Sequence, residues 1–240
     1  MKIPKKIFQT HKSYEYVKNN NFLNKAVNSW RKYQGEFEYV FHNNEQADHF
    51  MYDNFKGRIY NCYKKLGLNV MKGDLWRYCI LYKYGGIYAD ADTVLLTNPN
   101  IFIKDNTEMI LVPEPHPYCE TQLCQWVWSV PPNSQILKRV IDICVKRVLD
   151  EEDGRTNKRK ELGNGRYVHY ATGPLAFTEG IEYFLKSKNL PTFDSKCDYE
   201  NYPHDIIQVF PESFHKNVVL HGFMSINSPD GWYFESKKLG

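Results

Sequence analysis

Apolar and polar positions along the chain switch between two periods, and the switches mark its elements. Residues 5–10 read as a first buried strand, followed by a polar loop that ends near Asn20. Residues 24–33 carry a helical pattern that puts Leu23, Val27 and Trp30 on one face. Alternation over 37–41 predicts a second strand, and 45–66 two short helices broken around Gly57. An apolar helix over 75–84 stops at Gly85-Gly86, and a strand follows over 87–96. Further strands are expected over 109–112 and 125–130, the second ended by Pro131-Pro132. Residues 134–149 form an amphipathic helix with Ile136, Leu137, Val140, Ile141, Cys144 and Val148 inward. The charged stretch 150–165 reads as a mobile surface loop. A helix over 174–186 opens on a proline, and closing strands are expected over 206–210 and 218–223. Strands alternating with helices in the first half argue for a layered α/β sheet.

Residues 73–92, GDLWRYCILYKYGGIYADAD, interrupt this pattern with charge. Asp74 and Arg77 stand one helical turn apart, so both can address one ligand. On a strand, Tyr88, Asp90 and Asp92 share a face. Two convergent carboxylates make a hard-oxygen site suited to Mg²⁺ or Mn²⁺, ions commonly shared with a substrate's phosphates. An arginine beside them offers a fork that fits phosphate or hydroxyl oxygens. The combination points to an enzyme that handles a diphosphate-linked donor through a metal.

Asp74-x-x-Arg77 followed by Gly85-Gly86-x-Tyr88-x-Asp90-x-Asp92 resembles the sugar-binding region of the DXD glycosyltransferases. Within them it is similar to the retaining family of fungal Golgi mannosyltransferases and bacterial capsular sugar transferases. The clostridial glucosylating toxins carry a related core. Ile3-Pro4-Lys5-Lys6-Ile7-Phe8-Gln9-Thr10 resembles that family's first strand, and Thr172-Gly173-Pro174 its later loop. His221 and Trp232 look like its terminal metal and phosphate contacts, although Gly231-Trp232 stands where the family has Ser-Trp. The resemblance implies an α/β GT-A fold, a mostly parallel Rossmann-like sheet flanked by helices, as one domain over 1–240. It implies Mn²⁺ or Mg²⁺ held by Asp92 and His221, with Asp90 acting on the ribose or through water. Asp74 and Arg77 would hold the donor sugar's hydroxyls, with Tyr88 touching the sugar. Gln9 and Thr10 would lie at the nucleotide, Gly173 and Pro174 would shape the loop beside the donor, and Trp232 would cover the phosphates. The donor would be a UDP-hexose or GDP-mannose, and the acceptor a glycan, polysaccharide or protein. Retention of anomeric configuration is implied too; with no carboxylate that must act as a nucleophile, same-face attack assisted by the departing phosphate is preferred.

Composition narrows the alternatives. Hydrophobic residues at 42% and charged residues at 25% are ordinary for a globular protein. A net charge of +3, with Lys and Arg scattered, gives no basic groove for nucleic acid. A metal-dependent nuclease or phosphoesterase would also want more clustered carboxylates or histidines. A catalytically silent sugar-nucleotide-binding module of the same fold is the other alternative; it would be expected to have lost Asp74, Arg77 or one DXD acid, and all are present. No run of about 18 apolar residues occurs, so no membrane span is expected. Fungal members of the family are anchored; this sequence shows no such anchor and opens on Met, so a cytoplasmic enzyme is expected. Its six cysteines include no CxxC pair and mostly sit in apolar contexts, as free buried thiols do.

Overall fold

The computed structural model describes residues 2–112, 114, 122–192, 206–210 and 214–222. Its centre is a six-stranded sheet in the order β2-β1-β3-β6-β5-β7. These strands are β1 (Lys6–Thr10), β2 (Glu38–His42), β3 (Gly86–Ala89), β5 (Met109–Leu111), β6 (Val127–Val130) and β7 (Ile207–Val209). β1 runs parallel to β2 and β3, and β5 parallel to β7; β6 alone runs against its neighbours. A second, two-stranded antiparallel sheet joins β4 (Thr93–Leu95) to β8 (Val219–His221).

Period-2 alternation sorts the sheet's side chains onto two cores. Phe8, Tyr88, Trp128, Met109 and Leu111 point to one face. That face is covered by α3 (Asn44–Asn54), α4 (Gly57–Lys65), α5 (Asn69–Tyr84), α6 (Gln135–Glu152), α8 (Asn164–Ala171) and α9 (Pro174–Ser187). Ile7, Ile87, Ala89, Ile110 and Val127 point to the other face. There they meet Trp30 of α2 (Asn21–Arg31), Phe102 of a 3-10 turn and Phe214 of α10 (Phe214–Asn217). The inward residues expected of α6 are all buried. α5 is apolar around most of its girth because it packs between the sheet and α6, and it runs from Asn69, earlier than the pattern implied.

Several boundaries differ from expectation, each for a local reason. The polar stretch before Asn20 holds a short helix, α1 (Tyr14–Asn19), because the Ser13 hydroxyl accepts the Tyr16 N–H at 3.0 Å. The charged stretch 150–165 is not a loop: α6 runs on to Glu152 and α7 (Lys158–Leu162) follows. Its charges organise it, since Glu151 accepts the Thr156 hydroxyl at 2.7 Å and the N–H groups of Lys158 and Arg159 at 2.8 and 3.1 Å. β6 begins at Val127 rather than at residue 125, because the Gln125 carbonyl is taken by side chains: Arg77 Nη1 at 3.0 Å and Trp128 Nε1 at 3.1 Å. The strand expected over 87–96 is two strands with a turn between them, and they belong to different sheets.

Gly86 enters β3 with φ +114°, and a Cβ there would lie 2.7 Å from the carbonyl oxygen of Lys6 on β1. Only glycine allows so close a parallel approach. The contact locks the amino end of β3 onto β1, at the end of the strand away from the two aspartates. The cysteines Cys62, Cys79, Cys124 and Cys144 are buried and free. Among the described residues, no helix is long and apolar enough to cross a membrane.

Candidate active site

The turn that carries Asp90 and Asp92 is pinned through one carbonyl. Asp90 O accepts the Thr93 N–H at 3.1 Å, the Thr93 hydroxyl at 2.6 Å and the Gln9 amide at 3.2 Å. Trp30 Nε1 fixes Thr93 in turn, donating to its carbonyl at 3.0 Å and its hydroxyl at 3.1 Å. The Asp90 N–H donates to the Trp126 carbonyl at 2.8 Å. The two carboxylates thus converge through a tight turn at the carboxyl end of β3, not through the shared face of one strand. Ligand sites of α/β sheets lie at such strand ends. β8 completes the site from far along the chain: Thr93 pairs with His221, and the Gly222 N–H donates to Asp92 O at 2.9 Å. His221 Nε2 lies 3.2 Å from Asp92 Oδ1.

Asp90, Asp92 and His221 each offer a ligand atom, and these atoms lie within 4.8 Å of one another. Two carboxylate oxygens and one imidazole nitrogen suit Mn²⁺ or Mg²⁺ better than a soft metal, so the donor set fits the implied ion. Asp90 is the open member, its side chain 26% exposed against 10% for Asp92 and 9% for His221. Burial raises the Asp90 carboxyl above its ordinary range, and Asp92 adds to this while Arg77 pulls the other way. Burial opposes charge on His221, but Asp92, Asp90 and Glu114 outweigh it and hold its pKa above the usual value. The Tyr88 hydroxyl donates to Asp90 Oδ1.

Asp74 and Arg77 are not a solvated helix pair. Both are buried, at 1% and 7% exposure, in the middle of α5. Arg77 Nη2 meets Asp74 Oδ1 at 3.2 Å, and Nη1 meets Asp90 Oδ1 at 3.1 Å. One guanidinium therefore ties the helix to the DXD turn. It also lies over the Tyr88 ring, 4.5 Å from the centroid. Gln125 Nε2 donates to Asp74 Oδ1 at 3.0 Å, and the Thr172 hydroxyl to Oδ2 at 2.9 Å. Burial nevertheless pushes the Asp74 carboxyl up to about 7, against the pull of Arg77, Thr172 and Gln125. Arg77 Nε is buried without a hydrogen-bond partner among the described residues.

The remaining expected residues divide. Gln9 is fully buried, its amide carbonyl accepting the Tyr39 hydroxyl at 2.9 Å, and the Thr10 hydroxyl donates to the His42 carbonyl at 2.8 Å. Gly173 and Pro174 open α9, and their neighbour Thr172 makes the contact to Asp74. Trp232 lies outside the described residues. Gln125, Thr172 and Glu114 were not foreseen as site groups, since each contact spans a long stretch of sequence or an unremarkable local one. Glu114 is 7% exposed, raised to about 7 by burial, and accepts the Trp126 indole N–H at 3.3 Å. His11, after Thr10, stacks on Tyr16 at 5.1 Å and is pushed down to about 4 by burial. Its Nδ1 and that of His42 are buried without a hydrogen-bond partner among the described residues.

A mostly parallel sheet with a pinned Asp-x-Asp turn at a strand end, next to a buried arginine, defines the GT-A class of α/β fold. Residues 1–109 match the family described as the glycosyltransferase sugar-binding region containing DXD motif. It is 30% identical over 204 residues to the initiation-specific alpha-1,6-mannosyltransferase of Schizosaccharomyces pombe, covering 76% of this chain and 49% of the relative. The protein of the same name from Candida albicans is 25% identical over 152 residues, with 54% and 38% covered. The chain thus spans about half the length, or less, of these curated relatives. Among solved structures it resembles the PaToxG glycosyltransferase, with a TM-score of 0.54 and 16% identity over 78% of this chain and 71% of that one. That likeness supports the fold.

Proposed function

We propose that this protein moves a hexose from a nucleotide-diphosphate sugar to a glycan, polysaccharide or protein acceptor, with a divalent cation and with retention of configuration. The observation that carries the reading is the cluster of Asp90, Asp92 and His221, whose ligand atoms lie within 4.8 Å, beside the buried Arg77. The names of the curated relatives favour a mannosyl donor, GDP-mannose, over the UDP-hexoses. Four buried free thiols favour a reducing compartment, the cytoplasm. The whole of 1–240 acts in this reading as one catalytic domain.

Asp90, Asp92 and His221 would hold Mn²⁺ or Mg²⁺, which when bound supplies positive charge to a leaving diphosphate. The chain's own residues orient the donor. Arg77 is held in one pose by Asp74, Asp90 and the Gln125 carbonyl, and from there its charge favours the donor's phosphates. Gln125 and Thr172 keep Asp74 fixed, and Tyr88 orients Asp90 from beneath. The ends of β1 and β2, with Thr10 and the neutral His11 and His42, take the nucleotide, while the buried Gln9 braces the Asp90 turn beside it. Gly173 and Pro174 set the loop beside the sugar. With no carboxylate assigned as nucleophile, the acceptor hydroxyl attacks the anomeric carbon on the face the diphosphate leaves, and a departing phosphate oxygen takes its proton.

Turnover is expected to stop in excess chelator and to return when Mn²⁺ is restored, followed as release of nucleoside diphosphate. Full turnover in chelator contradicts the metal part of the reading.

A further inference from the structure

Glu114 is a buried carboxyl that none of these steps uses. It accepts the indole N–H of Trp126 at 3.3 Å. Trp126 is itself 4% exposed and touches the site twice. Its carbonyl accepts the Asp90 N–H at 2.8 Å, and its ring lies flat on the His221 imidazole, with centroids 4.6 Å apart and planes 1° from parallel. One residue thus braces the first aspartate by its backbone and the histidine by its ring. The indole has one polar atom, and Glu114 is the group that accepts from it. That bond, together with the packing around the ring, sets the orientation in which the indole supports the imidazole.

We propose that Glu114 is a positioning residue: by anchoring Trp126 it fixes the imidazole of His221 in the pose that lets it join Asp90 and Asp92 around a divalent cation. Partners outside the ligand shell orient ligands in this way, and their loss commonly weakens metal binding by about 10–100-fold. The inference rests on the metal-site reading above and goes beyond it by assigning Glu114 and Trp126.

The test is Mn²⁺ affinity of the purified protein, read from the electron paramagnetic resonance signal of the free ion. Glu114→Ala should bind Mn²⁺ at least about tenfold more weakly than the parent. Glu114→Gln keeps a carbonyl that accepts the indole N–H and should stay close to the parent. Trp126→Phe keeps a flat ring but has no N–H; it should weaken binding, and adding Glu114→Ala to it should cost nothing more. Should Glu114→Ala fail to fold, Trp126→Phe against the parent and Glu114→Gln decides, and parent affinity in Trp126→Phe overturns the inference. Equal weakening in Glu114→Gln and Glu114→Ala overturns it as well, because charge and not the bond would then matter. A parent that binds Mn²⁺ with a Glu114→Ala that binds it equally overturns the inference and leaves the metal-site reading standing. A parent that binds no Mn²⁺ overturns the metal-site reading and this inference together.

Discussion

Asp92→Asn is expected to keep the parent's melting temperature and to lose about 10²-fold or more of its transfer rate. Asparagine preserves size and an oxygen toward His221, which lies 3.2 Å from Asp92 Oδ1. It removes the negative charge that a divalent cation needs. The turn itself is held by the Asp90 carbonyl and the Trp126 carbonyl, neither of which the change touches. Removing one of two neighbouring carboxylates even eases their repulsion. Charge stabilisation by a bound metal is worth several kcal/mol in the transition state, and each ~1.4 kcal/mol is a factor of ten. Thermal melting alongside a rate assay at saturating Mn²⁺ checks both halves. A variant that melts far below the parent would make Asp92 a structural residue instead.

Arg77→Lys should cost about 10²-fold in transfer, with a much smaller loss of affinity for the nucleoside diphosphate alone. Lysine keeps the charge but replaces a planar fork with a single point. In the parent that fork reaches Asp74, Asp90 and the Gln125 carbonyl together. An ammonium can satisfy fewer of these, so Asp74 and Asp90 lose their fixed separation and the sugar its orientation. The buried site makes the change felt in stability as well, because a displaced partner leaves a carboxylate short of hydrogen bonds. The comparison is therefore made well below the variant's melting point, as transfer rate against diphosphate titration under saturating Mn²⁺. Unchanged transfer would remove Arg77, and with it Asp74, from the donor site.

Much of this arrangement could be read from the chain because its strongest signals are local. α6 announces itself by an apolar stripe whose expected inward residues are all buried, and α9 by the proline at its first turn. The aspartates and the arginine stand in one short run, and their spacing alone brings out the chemistry. The route by which Asp90 and Asp92 converge was not legible, because a hydroxyl at Thr93 and an indole at Trp30 make the turn. Nothing in an apolar run with two acids distinguishes one strand from two strands and a turn. Gln125 and Thr172 meet Asp74 across 51 and 98 residues, and no period in the sequence carries a contact of that separation. The stretch 150–165 misled for another reason. Charge usually signals solvated loop, but here Glu151 caps a short helix with its carboxylate. His221 could be named from its resemblance, yet its seat depends on β8 pairing with β4.

Metal-dependent hexose transfer is tested most directly by one measurement: release of hexose and nucleoside diphosphate when the protein is incubated with Mn²⁺ and, separately, GDP-mannose and each common UDP-hexose. One donor, GDP-mannose first among them, should be cleaved well above the rate without protein, and the parent should outpace Asp92→Asn on that donor. Saturable binding of the nucleoside diphosphates with no donor cleaved across the panel, with and without candidate acceptor glycans, would contradict it and leave a sugar-nucleotide-binding module of the same fold.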